Sequence, residues 1–537
     1  MPLMKRQQAS SHGLLIFGGP IITMDRRSPE VEAVACLHDR IIWTGKYINK
    51  PRIPGVRWEH LDLRGRLLLP AFCDCHTHFL FTALAKNSIR LSGATCLNDA
   101  LSIIRKSLLH LPKNGWVLGE GFDLNRWPEG ERPHKKHLDV FIPDRPGAFF
   151  SKDEHALWAN SVALHEAGIG PETPDPDGGV IHRDPVTGDP TGYLTENAYR
   201  LVWKVVPPPP TASCEKMVYR SFVDAYKVGV TQIHDVGSEQ SFEVFQSLHL
   251  KGKLGLRVLH AMPLDALPRL AQTQFRSGFG DELLRVGAIK VFLDGALGSQ
   301  TAYLKKPYTT DRKNHGVPTH SAEEFNDIVR RAFHAGWAVA VHALGDAAVR
   351  RAIDAFLLHR KKMPRHIPSR IEHVQLIDPK DIALLKKAGV VASMQPSHLL
   401  SDRDTAIKHW GRRTRWAFAF HSLLNAGVPL VFGSDTPIER LDPLQGIHAA
   451  VNRQQIGDSR GPWTPAERIS VYDAVAGFTL SPAAASGESA AKGSIVPGKT
   501  ADFVVLSQNI FRVPPANIMD TAIETTVFNG RVVYRRR

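Results

Sequence analysis

The tripeptide His76-Thr77-His78 closes the apolar run Leu67-Leu68-Leu69-Pro70-Ala71-Phe72-Cys73-Asp74-Cys75. Side chains of a strand alternate faces, so residues at i and i+2 project together. Two neutral imidazoles fixed on one face form half of a divalent metal site. Alone the tripeptide carries little: 25 histidines in 537 residues give about one His-x-His by chance, and a surface pair is the bland reading. Its company changes the weight. His342 ends Ala338-Val339-Ala340-Val341, His373 ends Arg370-Ile371-Glu372, and Asp435 follows Phe432-Gly433-Ser434. A single core histidine is more often hydrogen-bonded packing than a ligand, but four at the ends of apolar strands reverse those odds. A carboxylate at Asp435 can ligate a metal and exchange protons with its water. Lys290 lies inside the otherwise apolar Val286-Gly287-Ala288-Ile289-Lys290-Val291-Phe292-Leu293. A buried, unpaired ammonium there is costly, so it snorkels, pairs with Asp294 or loses its charge.

These residues need a scaffold that brings strand ends together. The middle of the chain alternates apolar strands with helical patterns, which argues for a parallel sheet with crossover helices. Eight strands are expected, at 71–75, 230–234, 256–260, 287–293, 338–342, 370–374, 390–395 and 429–433. Eight suggest a (β/α)8 barrel of the TIM type, whose chemistry sits at the C-terminal ends of its strands. The first two strands stand far apart, so an insertion of about 85–225 is expected after the first. It holds Phe122, Trp127, His155, Trp158 and a hairpin around Thr187-Gly188-Asp189. Such insertions serve as lids, substrate pockets or plain structural elaborations. The two chain ends read as short strands, with Asn529-Gly530 a hairpin turn. Neither has apolar pattern enough for its own core, so they are expected to pair into one small β-sandwich. The expected organisation is 1–68 and 489–537 as the two halves of that sandwich, around a barrel at 69–488.

Bulk composition bounds the alternatives. With 43% hydrophobic and 22% charged residues the chain is an ordinary globular one. No apolar run approaches the length needed to span a bilayer, and Leu14-Leu15-Ile16-Phe17 is too short for a signal-peptide core, so a cytoplasmic protein is expected. Five cysteines make no disulfide framework. Cys73 and Cys75 read as small buried hydrophobes facing away from the imidazoles, with a ligand role for Cys75 as the lesser alternative. The net charge of +14 invites a nucleic-acid reading, but the basic residues are scattered, apart from Arg535-Arg536-Arg537, and scattered charge is a solvated surface.

In sequence order the motifs resemble the amidohydrolase superfamily, in its amidohydrolase 3 subgroup around N-substituted formamide deformylase. They are His76-Thr77-His78, Trp158-x-Asn160-Ser161-x-Ala163-Leu164, Pro190-Thr191-Gly192-x-Leu194-x-Glu196-x-Ala198, and Lys290 through Asp294-Gly295-Ala296-Leu297-Gly298-Ser299. Then come Val341-His342-Ala343-Leu344-Gly345-Asp346, Arg370-Ile371-Glu372-His373, Gln395-Pro396-Ser397-His398, Gly433-Ser434-Asp435-Thr436-Pro437 and Gly493-Ser494-x-x-Pro497-Gly498-Lys499-x-Ala501-Asp502. The resemblance implies a metal-dependent hydrolase of amide or formamide carbon–nitrogen bonds, acting by attack of a metal-bound hydroxide. It implies one or two divalent ions, zinc foremost. His76 and His78 would bind the first and His342 and His373 the second, with Lys290 bridging them as a carboxylated lysine. Asp435 would ligate the first ion and carry the proton. A small-molecule amide is the expected partner, with no nucleic acid or membrane, and a homodimer is left open. Trp127, His155, Gln395 and His398 are the candidate substrate-binding residues. One departure stands out: the family has Pro-Gly where this chain has Pro70-Ala71, so Ala71 would be strained if that position needs a positive φ.

Three other functions compete. The same apparatus opens cyclic amides or deaminates rings, a regulatory relative keeps the fold without turnover, and a nucleic-acid binder rests on charge alone. Ring deamination needs a further acid to protonate a ring nitrogen, a role commonly filled by a glutamate shortly after the fifth-strand histidine. Here His342 is followed by Ala343-Leu344-Gly345-Asp346, with no glutamate. Amide hydrolysis needs no such group, because one carboxylate can serve both proton transfers in turn.

Overall fold

The computed structural model describes residues 11–537 apart from 87, 110, 112 and 129. Eight strands lie side by side in chain order: β1 Phe72–Thr77, β2 Val230–Val236, β3 Arg257–Pro263, β4 Leu284–Phe292, β5 Ala338–Ala343, β6 Arg370–His373, β7 Val391–Met394 and β8 Leu430–Phe432. Every neighbouring pair is parallel. Buried on both faces, such strands read as continuous apolar runs, which is why all eight are visible in the sequence. The ring closes just past the strand ends. Asp435 N–H donates to His76 O at 2.7 Å, and His78 N–H donates to Thr436 O at 2.9 Å. The barrel is sealed by the backbone of the residues that carry its polar groups.

The helices between strands present one apolar stripe to the barrel. In α1 (Ala322–His334) the buried residues are Phe325, Ile328, Val329, Ala332 and Phe333, a 3.6-residue period. Its start is fixed by a capping box: Ser321 Oγ accepts from Glu324 N–H, and the Glu324 carboxylate accepts from Ser321 N–H. In α2 (Asp346–Leu358) Phe356 stacks on Phe333, with ring centroids 6.1 Å apart.

Strands from both chain ends form a second, mixed sheet of eight. Five come from Ser11–Ile22 through Leu67–Pro70, and three are Phe503–Leu506, Ile523–Phe528 and Arg531–Arg535. The two ends meet where Leu67–Pro70 pairs antiparallel with Phe503–Leu506. Leu14, Val34, Ile41, Leu68, Phe503, Val505 and Val527 share its core. The expected turn at Asn529-Gly530 has φ of 51° and 69°. A Cβ on Gly530 would lie 1.8 Å from His38 O, so only glycine fits. Ala71 is the single residue between this sheet and β1, and its φ is not positive. The feared strain is absent.

The chain folds as two units, one formed by the described residues up to Phe79 with Val218–Arg537, the other by Leu80–Met217. The second has its own six-stranded sheet, in the order Gly179–Arg183, Pro190–Glu196, Ala156–Ala159, Gly147–Ser151, Val117–Phe122, Ile89–Arg90. The hairpin expected around Thr187-Gly188-Asp189 joins the first two. Adjacent residues of one strand serve opposite faces: Trp158 packs with Phe122, Phe149 and Trp127, and Leu157 with Leu194, Ile181 and Ala163. Asn160 explains its own motif. Its amide oxygen accepts from Ala163 N–H and Gly147 N–H, and its nitrogen donates to Ile142 O and Arg145 O.

Among the described residues, no helix is long and apolar enough to cross a membrane.

Candidate metal centre

At the C-terminal end of the barrel, β1, β5, β6 and β8 deliver their polar residues to one place. The His76 and His78 rings lie 5.6 Å apart, His76 and His373 4.9 Å, and His342 and His373 4.5 Å. Asp435 Oδ1 is 3.4 Å from His76 Nε2 and 3.3 Å from His78 Nε2. Two of these residues reach the centre through unusual backbone, His373 with φ 77° and Asp435 with φ 61°. Side chains with a Cβ seldom adopt such angles, and they persist where the surroundings over-determine them.

Three imidazoles are each tied down by one nitrogen. His76 Nδ1 donates to the Glu372 carboxylate at 2.6 Å, His373 Nδ1 to Gln395 Oε1 at 2.8 Å, and His342 Nε2 to Gly295 O at 3.1 Å. Carboxylates and carbonyls only accept, so in each neutral ring the other nitrogen carries a lone pair. Burial keeps the rings neutral. It pushes His342 down to about 3 and, together with neighbouring His342, sets His373 well below its usual value. His76 is also lowered by burial, although Glu372 opposes the shift. Burial alone would protonate Asp435, but attraction to any proton taken up by His76, and a hydrogen bond from His78, hold its carboxyl well below the usual range.

The bare Nε2 of His76 is buried without a hydrogen-bond partner and faces a carboxylate oxygen. Two acceptors 3.4 Å apart in a dry interior repel, and a cation between them reconciles the pair. His76, His373 and Asp435 offer ligand atoms all within 4.8 Å of one another. The donor set therefore fits a divalent metal.

Lys290 comes from β4, buried, with Nζ 4.9 Å from the centre of the Phe292 ring. Burial pushes its ammonium down to about 8, against the pull of Glu372 and Asp435. Asp294 is turned elsewhere. Its carboxylate accepts from the N–H groups of Tyr303, Leu344 and Gly345, at 2.8–3.0 Å, and so pins the loop after β4 to the loop after β5.

Of the four candidate substrate residues, two lie in this unit. Gln395 is engaged with His373 through its oxygen and with Ser393 O through its nitrogen. His398 points Nε2 toward Asp435 Oδ2 at 3.6 Å. Trp127 and His155 belong to the Leu80–Met217 unit. Trp127 packs there with Phe122 and Trp158, at centroid distances of 6.0 and 6.4 Å, and the three aromatics fill that unit's own core. His155 Nδ1 is 3.0 Å from Glu196 Oε2. Burial lowers its pKa, but the bond and charge of Glu196 outweigh this and raise it.

Sequence reasoning missed Glu372. It sits fully buried between His76 and Arg370, whose Nε is 2.6 Å from Oε1. The signal was available: two opposite charges two residues apart share one face of an otherwise apolar strand. Asp74 was also missed. Its carboxylate accepts from Ser434 N–H at 3.0 Å and His76 N–H at 3.1 Å, bracing β1 against β8, and burial pushes its pKa up to about 7.

A second group able to hold a metal comprises Cys73, Cys75 and His234. The two sulfurs are 3.9 Å apart and pack on Val391, Val431 and Ala485, and His234 Nδ1 accepts from Arg370 at 2.9 Å. Burial raises the Cys75 thiol well above its usual pKa.

Known proteins share this architecture. The amidohydrolase family model matches residues 59–534. YtcJ of Bacillus subtilis (strain 168) is 34% identical over 97% of this chain and 99% of its own. N-substituted formamide deformylase of Arthrobacter pascens is 26% identical over 97% of this chain and 98% of its own. The crystal structure of an uncharacterized metal-dependent hydrolase from Pyrococcus horikoshii OT3 superposes with a TM-score of 0.78 at 25% identity, covering 94% of this chain and 99% of that one. With lone-pair nitrogens and a carboxylate converging at the mouth of the barrel, the chain belongs to the amidohydrolase family and is a metal-dependent hydrolase of carbon–nitrogen bonds.

Proposed function

We propose that the substrate is an open-chain amide, a formamide with an apolar N-substituent foremost, hydrolysed to a carboxylate and an amine. The observation that carries this reading is the Asp435 carboxylate among neutral imidazoles, with Lys290 buried beside them. His76, His78 and Asp435 would hold one ion, zinc by its affinity for imidazole and carboxylate. His342 and His373 would hold a second, with Lys290 between as a carbamate. Only a neutral amine adds to carbon dioxide, and burial favours that form. The metal, when bound, supplies Lewis acidity, lowering the pKa of water and polarising a carbonyl. Asp435 takes the proton of the attacking water and passes it to the departing nitrogen. Glu372 keeps the proton of His76 on Nδ1, and Gln395 does the same for His373.

Ring deamination is disfavoured by the surroundings of β5. The only acid shortly after His342 is Asp346, and its carboxylate is occupied by Lys305 N–H at 2.9 Å, at the start of α2. The test is a side-by-side assay of N-benzylformamide and related amides against adenine, guanine and cytosine. Hydrolysis of amides is expected. Ammonia release from a base, with kcat/KM above that for every amide, would overturn the assignment.

A further inference from the structure

His398 stands in the first turn of α3 (Pro396–Trp410), buried, with its two ring nitrogens in different surroundings. Gln375 Nε2 lies 3.3 Å from Nδ1 and also 3.3 Å from Asp402 Oδ2. The Asp402 carboxylate can only accept, so it draws the amide NH2 of Gln375 toward itself. That NH2 gives its other hydrogen to His398 Nδ1, which is therefore the bare nitrogen. In the neutral ring the proton sits on Nε2. Nε2 is buried without a hydrogen-bond partner, and Asp435 Oδ2 at 3.6 Å is beyond hydrogen-bond range.

His398 thus has the opposite polarity to its neighbours. His76, His342 and His373 turn lone pairs inward, which suits a cation. His398 turns an N–H inward, which suits an oxygen bearing negative charge. We propose that His398 is a catalytic hydrogen-bond donor: its Nε2–H binds the amide carbonyl oxygen and stabilises the oxyanion formed when water adds. Gln375 and Asp402 are positioning residues that fix its tautomer. The proposal rests on the amide reading above. The bonds balance without proton transfer from His398. As the new C–O bond forms, the carbonyl π pair moves onto oxygen, where Nε2–H holds it. When that pair returns the C–N bond breaks, and the nitrogen leaves with the proton carried by Asp435.

The test compares N-benzylformamide with N-benzylthioformamide on the metal-replete full chain, since sulfur is a weak hydrogen-bond acceptor. Taking each variant relative to the native protein cancels the effect of sulfur on the metal. His398→Phe is expected to lower kcat on the oxygen amide about 10²–10³-fold, as removal of an oxyanion donor does. KM should change little, and the thioamide should be nearly unaffected. His398→Gln, which restores an N–H at similar reach, should recover most of the loss. Equal losses on both substrates would make the residue structural and overturn the proposal. Nitrogen NMR of ring-labelled histidine reads the tautomer without turnover: the proton is expected on Nε2, and Gln375→Glu should move it to Nδ1. A native protein inert toward both amides overturns the amide reading together with the carbonyl as acceptor. A native ring protonated at Nδ1, in a protein that does hydrolyse them, overturns this proposal alone.

Discussion

In the proposed reaction the proton traffic turns on Asp435, whose low-pKa carboxylate lies against both His76 and His78. Replacing it by asparagine keeps its size and removes its basicity. The expected outcome for Asp435→Asn is a folded protein with kcat lower by about 10²–10⁴-fold, and near-normal turnover would take the proton-transfer role away from this residue. Lys290 makes a claim of a different kind, on chemistry before metal binding. With its pKa lowered by burial to about 8, roughly one-tenth of the metal-free side chain is neutral amine at pH 7 and about nine-tenths at pH 9. If the amine must add carbon dioxide before two ions are held, reactivation of stripped protein with zinc, at one fixed concentration of dissolved carbon dioxide, should run several-fold faster at pH 9 than at pH 7. A rate that is flat across this range would argue for an unmodified lysine. At this scale the sequence was informative about residues that end strands, since a histidine after an apolar run is conspicuous. Glu372, which lies one residue inside β6, left only the weaker signal of its spacing from Arg370, and the sequence was silent on which nitrogen each ring would turn inward. Trp127 drew attention as a substrate-binding candidate, with Phe122 and Trp158 in the same insertion. They fill a core, and an aromatic's destination is set by which face of its sheet it occupies.

The elements place these residues with little slack, most of all at the seam between β1 and β8. Gly433 shows why. A Cβ there would come within 2.4 Å of His76 N and 2.8 Å of the Asp74 carboxylate, although its φ is not positive. The demand is for space, not conformational freedom. Gly433→Ala should force β1 and β8 apart and move His76 relative to Asp435. A stability loss of about 1–3 kcal/mol is expected, as for an overpacked core, with a larger loss of metal affinity. Unchanged metal content and thermal midpoint would mean that the seam yields more easily than its packing implies. The eight strands were legible because buried parallel strands carry no polar alternation to blur them. The left-handed backbone at His373 and Asp435 was not, since neither residue type announces a positive φ. The Asn529-Gly530 turn was legible for the converse reason: both residues tolerate that conformation.

For the whole molecule, the question is whether the metal holds the fold or only completes it. The sheet from the chain ends and the Leu80–Met217 unit each have apolar cores containing none of the proposed ligands. In the barrel the helices bury apolar stripes that include none of the proposed ligands, as α1 does through Phe325, Ile328 and Phe333. The centre adds a cost instead: without a cation the Asp435 carboxylate faces the His76 lone pair in a buried site. That repulsion is spread over a few atoms, whereas each core joins many side chains, so the cores prevail. Stripping the metal with a chelator should therefore abolish hydrolysis and leave the far-ultraviolet circular dichroism essentially unchanged. The thermal midpoint should fall by the linkage between binding and folding, worth about 4 kcal/mol when free ligand exceeds Kd a thousandfold. Adding back zinc should restore activity and midpoint together, with close to two equivalents bound if Lys290 is carboxylated and one if it is not. A stripped protein that loses its secondary structure would make the metal part of the fold, and one that keeps full activity would remove the metal from the reaction.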